Sequence, residues 1–374
     1  MTLCKPVRNE SGCQKLAGKK KKKNCAVRWR VVLETSRGVW KRALQRQGLA
    51  LTGSILDADI HHNILSLLKS KAKGHQSPNL ISEKLSASLY GHTKAVNAIH
   101  WSSTHAHLLA SAGMDHAVCI WNVWGRNQKK ACVLNFHNAA VKDVKWSQQG
   151  HFLLSCGYDC TSRLIDVEKG LETRVFREDQ IVGVIKFHPD NSNPTKHGHP
   201  IPLSCPGVRH VSVSVSNTTP TLTMLVLHSS NLFLSGGSKG RFKLWDARTG
   251  KVYVEAYTCP CVRCHPFDSI FVAQSNGNYD AIFTTTPPYR LNKYKRYEGH
   301  VVSGFPIKCN FSLDGKKLAS GSSDGSIYLY DYQSSKVVKK IKAHDQACID
   351  VAFHPVIPNV IASCSWDGSI LVFE

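Results

Sequence analysis

Three kinds of residue cluster in this 374-residue chain could do chemistry. Ser, His and Asp recur together, as His92, Ser111 and Asp115 and again as His300, Ser320 and Asp324. In mutual hydrogen-bond contact, those three side chains make a hydrolytic triad. Cys261-Val262-Arg263-Cys264-His265 has the spacing of a c-type haem attachment, and Cys259 adds a third thiol for a metal. Lys19, Lys20, Lys21, Lys22 and Lys23, followed by Arg28, Trp29 and Arg30, set positive charge beside an aromatic ring. That combination neutralises phosphates and stacks on bases, and Arg290, Lys293, Lys295 and Arg296 form a second basic cluster.

Each cluster has a plainer reading. A catalytic constellation occurs once, whereas the Ser, His and Asp set recurs in register with strand boundaries, so its role is structural. There is no P-loop or metalloprotease helix motif, and no catalytic residue is expected. Cys264 falls at a core strand position and His265 in a turn, and zinc would lack a fourth soft ligand. No metal or cofactor is therefore expected. The lysine run reads as a nuclear-targeting signal or a source of nonspecific electrostatics, with weak or indirect RNA contact as the alternative.

The elements that must position these residues are set by repetition with a period of forty-odd residues. A His, an alternating apolar stretch, a Ser, an Asp four residues later and an aromatic six further on recur along the chain. The first copy holds His92, Ser111, Asp115 and Trp121, and the second holds His137, Ser155 and Asp159 with Ile165 at the aromatic position. The third has Ser235, Lys239 and Trp245, so lysine replaces the aspartate. The fifth has His300, Ser320, Asp324 and Tyr330, and the last has His344, Ser363, Asp367 and Phe373. The fourth, around Cys264 and from Phe271 to Phe283, is partial, which makes six recognisable copies. Period-two alternation such as Val118-Cys119-Ile120-Trp121, broken by turns such as Gly113-Met114-Asp115, marks short antiparallel strands.

Trp121-Asn122, Trp245-Asp246 and Tyr330-Asp331 close repeats, and Gly91-His92 and Gly299-His300 open them. The chain thus resembles the WD-repeat family. The resemblance implies an all-β propeller, commonly of seven blades, in which the turn Asp orients the His and the Ser links that His to the indole. Only the first copy has all four members; Tyr330 and Phe373 lack the indole donor, so their blades are expected to lean more on packing.

A closed ring leaves no free sheet edge between first and last blades, and the last repeat holds three strands. Glu83 to Tyr90, with Leu85, Ala87 and Leu89 alternating, is expected to supply the fourth. The propeller is expected over 83–374. Residues 194–229 carry no repeat marks and hold Pro194, Pro200, Pro202, Pro206 and Pro220, so a loop insertion is expected there. The alternative is that strand-prone parts, such as Val211 to Val215 and Leu222 to Leu227, replace missing strands. Residues 1–82 read as a basic, mostly disordered extension with a possible helix near 54–70.

Charge and composition point to the class of partner. Forty-eight Lys and Arg against 26 Asp and Glu give a formal charge of +22, of which residues 1–80 hold +13, favouring acidic partners. No apolar run is long enough for a membrane span, and irregularly spaced cysteines read as reduced thiols, so neither a membrane nor an extracellular role is expected. Tyr289 to Ser312, with Tyr297-Glu298-Gly299-His300 at its centre, Lys342-Ala343-His344-Asp345 and Cys364-Ser365-Trp366-Asp367-Gly368 are more particular than a generic repeat. They resemble the family of WD repeat-containing protein 25 and the WD-repeat pre-mRNA-processing factors of the second splicing step. That resemblance implies a nuclear scaffold binding proteins of a multi-subunit, spliceosomal complex, with no small-molecule substrate. The alternative is a cytoplasmic adaptor for complex assembly or ubiquitin-ligase substrate recruitment.

Overall fold

The computed structural model describes residues 83–125, 128–178, 181–187, 261–286 and 290–374, together with the backbone of five strands between 210 and 256. Twenty-six strands and no helix are found among the described residues. The first strand, β1 (Leu85–Leu89), stands apart in sequence from the sheet it joins. Blade one follows as β2 (Val96–Trp101), β3 (Leu108–Gly113), β4 (Val118–Asn122) and β5 (Lys130–Leu134). Blade two is β6 (Val141–Trp146), β7 (Phe152–Gly157), β8 (Thr161–Asp166) and β9 (Leu171–Arg177). Blade three pairs only β10 (Val182–Phe187) with β11 (His210–Ser214) among the described residues.

Blade four is β12 (Thr221–Val226), β13 (Leu232–Gly237), β14 (Phe242–Asp246) and β15 (Val252–Ala256). Blade five is β16 (Val262–Cys264), β17 (Ile270–Ser275), β18 (Tyr279–Thr284) and β19 (Leu291–Glu298). Blade six is β20 (Cys309–Phe311), β21 (Lys317–Ser320), β22 (Ser326–Asp331) and β23 (Val337–Lys342). Blade seven contributes β24 (Cys348–Phe353), β25 (Ile361–Ser365) and β26 (Ile370–Phe373), and β1 lies on the outer side of β26.

The innermost strands form a complete circuit. β2 packs on β6, β6 on β10, β10 on β12, β12 on β16, β16 on β20, β20 on β24, and β24 again on β2. The circuit closes through β1, which pairs antiparallel with β26, Leu89 opposite Ile370 and Leu85 opposite Phe373. Ala87 and Leu89 are buried in the same apolar cluster as Trp101, Trp121, Ile370 and Val372, which seals the last blade to the first. Burying a side chain such as Leu89 stabilises by about 1.5–3 kcal/mol.

Two expectations are corrected. Part of the segment expected to be a loop insertion, 194–229, forms β11 and β12, and β12 pairs with β13 as the innermost strand of blade four. The prolines that argued for a loop lie outside the described residues. The ring therefore has seven sheets, the number the family resemblance implies, although only six copies are recognisable in the sequence. The copy expected to be partial, the fourth, is a full four-stranded sheet whose innermost strand is only three residues long. Its register matches blade one, since Phe271 lies opposite Phe283 as Leu109 lies opposite Trp121. The lysine run at 19–23, Arg28, Arg30 and the possible helix near 54–70 lie outside the described residues.

The turn after the Ser strand demands a left-handed residue directly after its Asp. Gly325 and Gly368 fill that place at φ 78° and 87°, while His116 and Cys160 hold it at 70° and 57°. Glycine takes this conformation without steric cost, which explains the Asp-Gly of the later repeats.

Candidate interaction surface and the networks that hold it

In blade one the four repeat residues form one chain of hydrogen bonds. The Trp121 indole donates to Ser111 Oγ at 2.8 Å, and Ser111 lies 2.7 Å from His92 Nε2. His92 Nδ1 sits 2.9 Å from both oxygens of Asp115, which also accepts from the Thr93 amide. The consistent tautomer has Ser111 donating to Nε2 and Nδ1–H donating to the carboxylate, so every polar atom of the buried chain is used. Burial alone would raise the Asp115 carboxyl, but the His92 bond and the Thr93 and Ala117 amides outweigh it and hold it below the usual carboxylate range.

Blade two repeats the lower half of this chain. His137 Nδ1 lies 2.9 Å from Asp159 and its Nε2 2.8 Å from Ser155, while Ile165 fills the indole position as a fully buried side chain. In blade seven His344 meets Ser363 at 2.8 Å, but its other nitrogen bonds Ser369 at 2.7 Å and stands 3.9 Å from Asp367. Phe373 is buried at the aromatic position.

Blade six departs from the family pattern, which corrects the expectation for Asp324. His300 Nδ1 lies 2.8 Å from the Tyr330 hydroxyl, and Gln274, from blade five, donates its amide to Ser320 Oγ at 3.1 Å and toward His300 Nε2 at 3.3 Å. Tyr330 thus supplies a polar partner as well as volume. Asp324 instead pairs with Lys340 at 2.9 Å and accepts from the Tyr328 hydroxyl at 3.2 Å. Beside His300, Asp280 is wholly buried with neither oxygen hydrogen-bonded, and burial pushes its carboxyl well above the usual range. For blade four, Ser235 and Trp245 lie on β13 and β14, with Asp246 opposite Leu232. Asp331 ends β22 and accepts from Ser334.

A recurring His-Pro pair carries a second set of links, and its role was missed in the sequence. His265 donates Nε2–H to the Gly315 carbonyl of the next blade at 2.9 Å, while its Nδ1 accepts the amides of Phe267 and Asp268. His354 does the same, to Ala106 at 2.8 Å and from Val356 and Ile357. Each imidazole pins a turn and straps one blade to its neighbour. Both nitrogens of His265 are therefore engaged within the fold. Among the described residues no three His, Cys, Asp or Glu side chains come together as metal ligands. The signal in the sequence was the repetition of Phe187-His188-Pro189, Cys264-His265-Pro266 and Phe353-His354-Pro355 itself.

The basic cluster at 290–296 lies on and just before β19, the outermost strand of blade five. Lys295 is held 4.3 Å over the Tyr332 ring and Arg296 4.7 Å over Tyr279. Arg290 and Lys293 are exposed, and Tyr294 is 99% exposed between them and the two anchored cations. Charged side chains along an outer strand also keep that edge from pairing with another sheet.

Four stretches of the chain, 83–122, 128–166, 291–331 and 335–374, match the WD domain, G-beta repeat family. They cover blades one, six and seven with the closing strand, blade two except β9, and β19 of blade five, and leave out 167–290, where the repeat residues are most altered. Over 314 residues, 79% of the chain, it is 32% identical to WD repeat-containing protein 25 of Mus musculus. It is 27% identical to pre-mRNA-processing factor 17 of Homo sapiens over 76% of its length. It is 24% identical to the U5 small nuclear ribonucleoprotein 40 kDa protein of Dictyostelium discoideum, again over 76% of its length and over 83% of that protein. The chain spans 58% of the first relative and 51% of the second. The β-propeller domain of Myceliophteria thermophila Cps50 (Swd1) superposes with a TM-score of 0.61 over 78% of this chain and 98% of its own, at 18% identity.

Two outcomes follow from these networks. Asp115→Ala leaves a buried imidazole N–H unpaired and should cost about 1–3 kcal/mol, while Asp324→Ala removes a half-exposed ion pair to Lys340 and bonds from the Tyr328 hydroxyl and Ser326 amide, and leaves no buried imidazole unpaired. Thermal unfolding should show the larger drop for Asp115→Ala, and equal drops would contradict the hydrogen-bond assignment. Burial lowers His300, His344 and His354 from 6.5 to about 4. Between pH 6.5 and 4 the unfolded chain binds protons that these folded rings refuse, so the stability present above pH 6.5 is lost as the pH falls. Each group contributes a slope of about 1.4 kcal/mol per pH unit at most. The melting temperature should therefore fall from pH 7 to pH 5, and a flat profile would show that the rings are protonated in the fold.

Closed circuit, repeat networks and matched stretches together identify the chain as a WD-repeat β-propeller similar to WD repeat-containing protein 25 and pre-mRNA-processing factor 17.

Proposed function

We propose that this chain is a noncatalytic scaffold that joins proteins within a nuclear pre-mRNA splicing or RNA-processing complex. The observation that carries the reading is similarity along three quarters of the chain to a relative named for pre-mRNA processing, accompanied by a relative named for the U5 small nuclear ribonucleoprotein. A propeller suits the task, because its rigid inner strands hold loops that can differ from blade to blade without disturbing the repeat residues. The Ser, His and Asp sets are spent on internal hydrogen bonds, which accounts for their presence without a reaction. The net charge of +22 favours acidic partners, and exposed Arg290 and Lys293 beside Tyr294 offer a place for weak contact with RNA.

Affinity purification of the tagged chain from nuclear extract tests the reading. Splicing proteins and small nuclear RNA should be recovered, with the RNA lost when those proteins are stripped by salt. Recovery of neither would remove the splicing assignment, and recovery of cytoplasmic assembly or ubiquitin-ligase subunits would favour an adaptor role in its place.

A further inference from the structure

The innermost strands of three blades, and the segment just before the innermost strand of a fourth, turn five cationic side chains toward one partly open cavity of about 30 Å³. Lys142 and Lys145 come from β6, Lys186 from β10 and Arg263 from β16, and Lys308 lies just before β20. Two carboxylates answer them. Lys145 bonds Asp143 at 2.6 Å, and Lys308 bonds Asp350 of β24 at 3.1 Å. Those aspartates already have structural duties, because Asp350 also accepts the Ile99 amide of β2, and Asp143 that of Ile185 in β10. Lys142 stands 5.3 Å over the Tyr158 ring.

Lys186 and Arg263 are left over. Among the described residues neither is in ion-pair contact with a carboxylate, although Cys261, Asp350 and Asp143 act on Arg263 from further off and favour its charged form; the one side-chain hydrogen bond found for Arg263 is to the carbonyl of its own neighbour Val262, at 3.2 Å. Burial, and then the charges of Arg263 and Lys145, pull the Lys186 amine down to about 7. Enclosed cations that repel one another destabilise a fold unless an anion sits among them.

We propose that this central cluster binds a small inorganic oxyanion of the size and charge of phosphate. The guanidinium offers a planar fork of donors to two oxygens, and the ammonium groups approach from the facing strands. A cavity of this volume holds about two or three waters, which is the space of one tetrahedral anion and too little for a nucleoside or a peptide side chain with its backbone. Bound there, the anion would tie β6, β10 and β16 together, including the blade with two described strands.

Calorimetric titration and thermal unfolding with inorganic phosphate, against potassium chloride at equal ionic strength, test the proposal. The full chain should bind one phosphate saturably at millimolar concentration or below and melt higher in its presence. Lys186→Met and Arg263→Met should each weaken binding at least tenfold. Without phosphate, Lys186→Met should melt no lower than the parent, because it removes a partly buried charge that has no ion-pair partner among the described residues. Phosphate acting no differently from chloride would overturn the proposal, as would phosphate stabilisation that survives in both variants. If Arg263→Met fails to fold, Lys186→Met alone decides, since its melting without phosphate reports its integrity.

Discussion

Everything in this propeller depends on the antiparallel pairing of β1 with β26. The two segments are separated by nearly the whole ring, yet Ser86 bonds the Glu374 carboxylate and the Glu374 amide donates to the Lys84 carbonyl. Until they meet, β26 is an open edge, and the apolar faces of Leu89, Ile370 and Val372 lack part of their cover. A contact between such distant segments carries a large loop-closure cost, which the shared cluster with Trp101 and Trp121 offsets by removing apolar area from water. Closure also fixes the radius of the circuit, and so decides which side chains of the innermost strands face one another across the centre.

Within that frame, adjacent blades are joined by polar groups that burial would otherwise penalise. The His-Ser-Asp chains tie the start of a blade to its own turn, whereas His265 and His354 reach the next blade and the inner aspartates reach the next inner strand. These bonds are worth more for direction than for net energy. A buried imidazole left without its carbonyl or amide partners costs more than the bond itself contributes, so only the correct angle between blades satisfies all of them. Blade six shows that the requirement is for satisfied atoms and not for particular residues, because Gln274 and Tyr330 complete the His300 network without Asp324.

Much of this was legible in the sequence because it repeats. The spacing of Ser111 and Trp121 defines a strand pair, and the same spacing placed Phe271 opposite Phe283 in a copy with few other marks. Alternation in Leu85 to Leu89 marked β1. The seventh sheet was legible only as the alternative, because strand-prone Val211 to Val215 and Leu222 to Leu227 overlap β11 and β12 while the frequent prolines around them favoured a loop; blade five looked partial because β16 is too short to show a period. Nor was the exchange at His300, since it depends on Gln274 arriving from another blade. Lys186, Arg263 and Lys308 look unremarkable in sequence; only ring closure brings them to one cavity.

The most direct measurement compares the thermal unfolding and solubility of two truncated chains, one beginning at residue 83 and the other at residue 92. The first keeps β1 and the second removes it, leaving β26 as a free edge. The account predicts a soluble, cooperatively melting protein in the first case and aggregation, or a melting temperature lower by many degrees, in the second. Matching solubility and matching melting curves would mean that β1 does not close the ring.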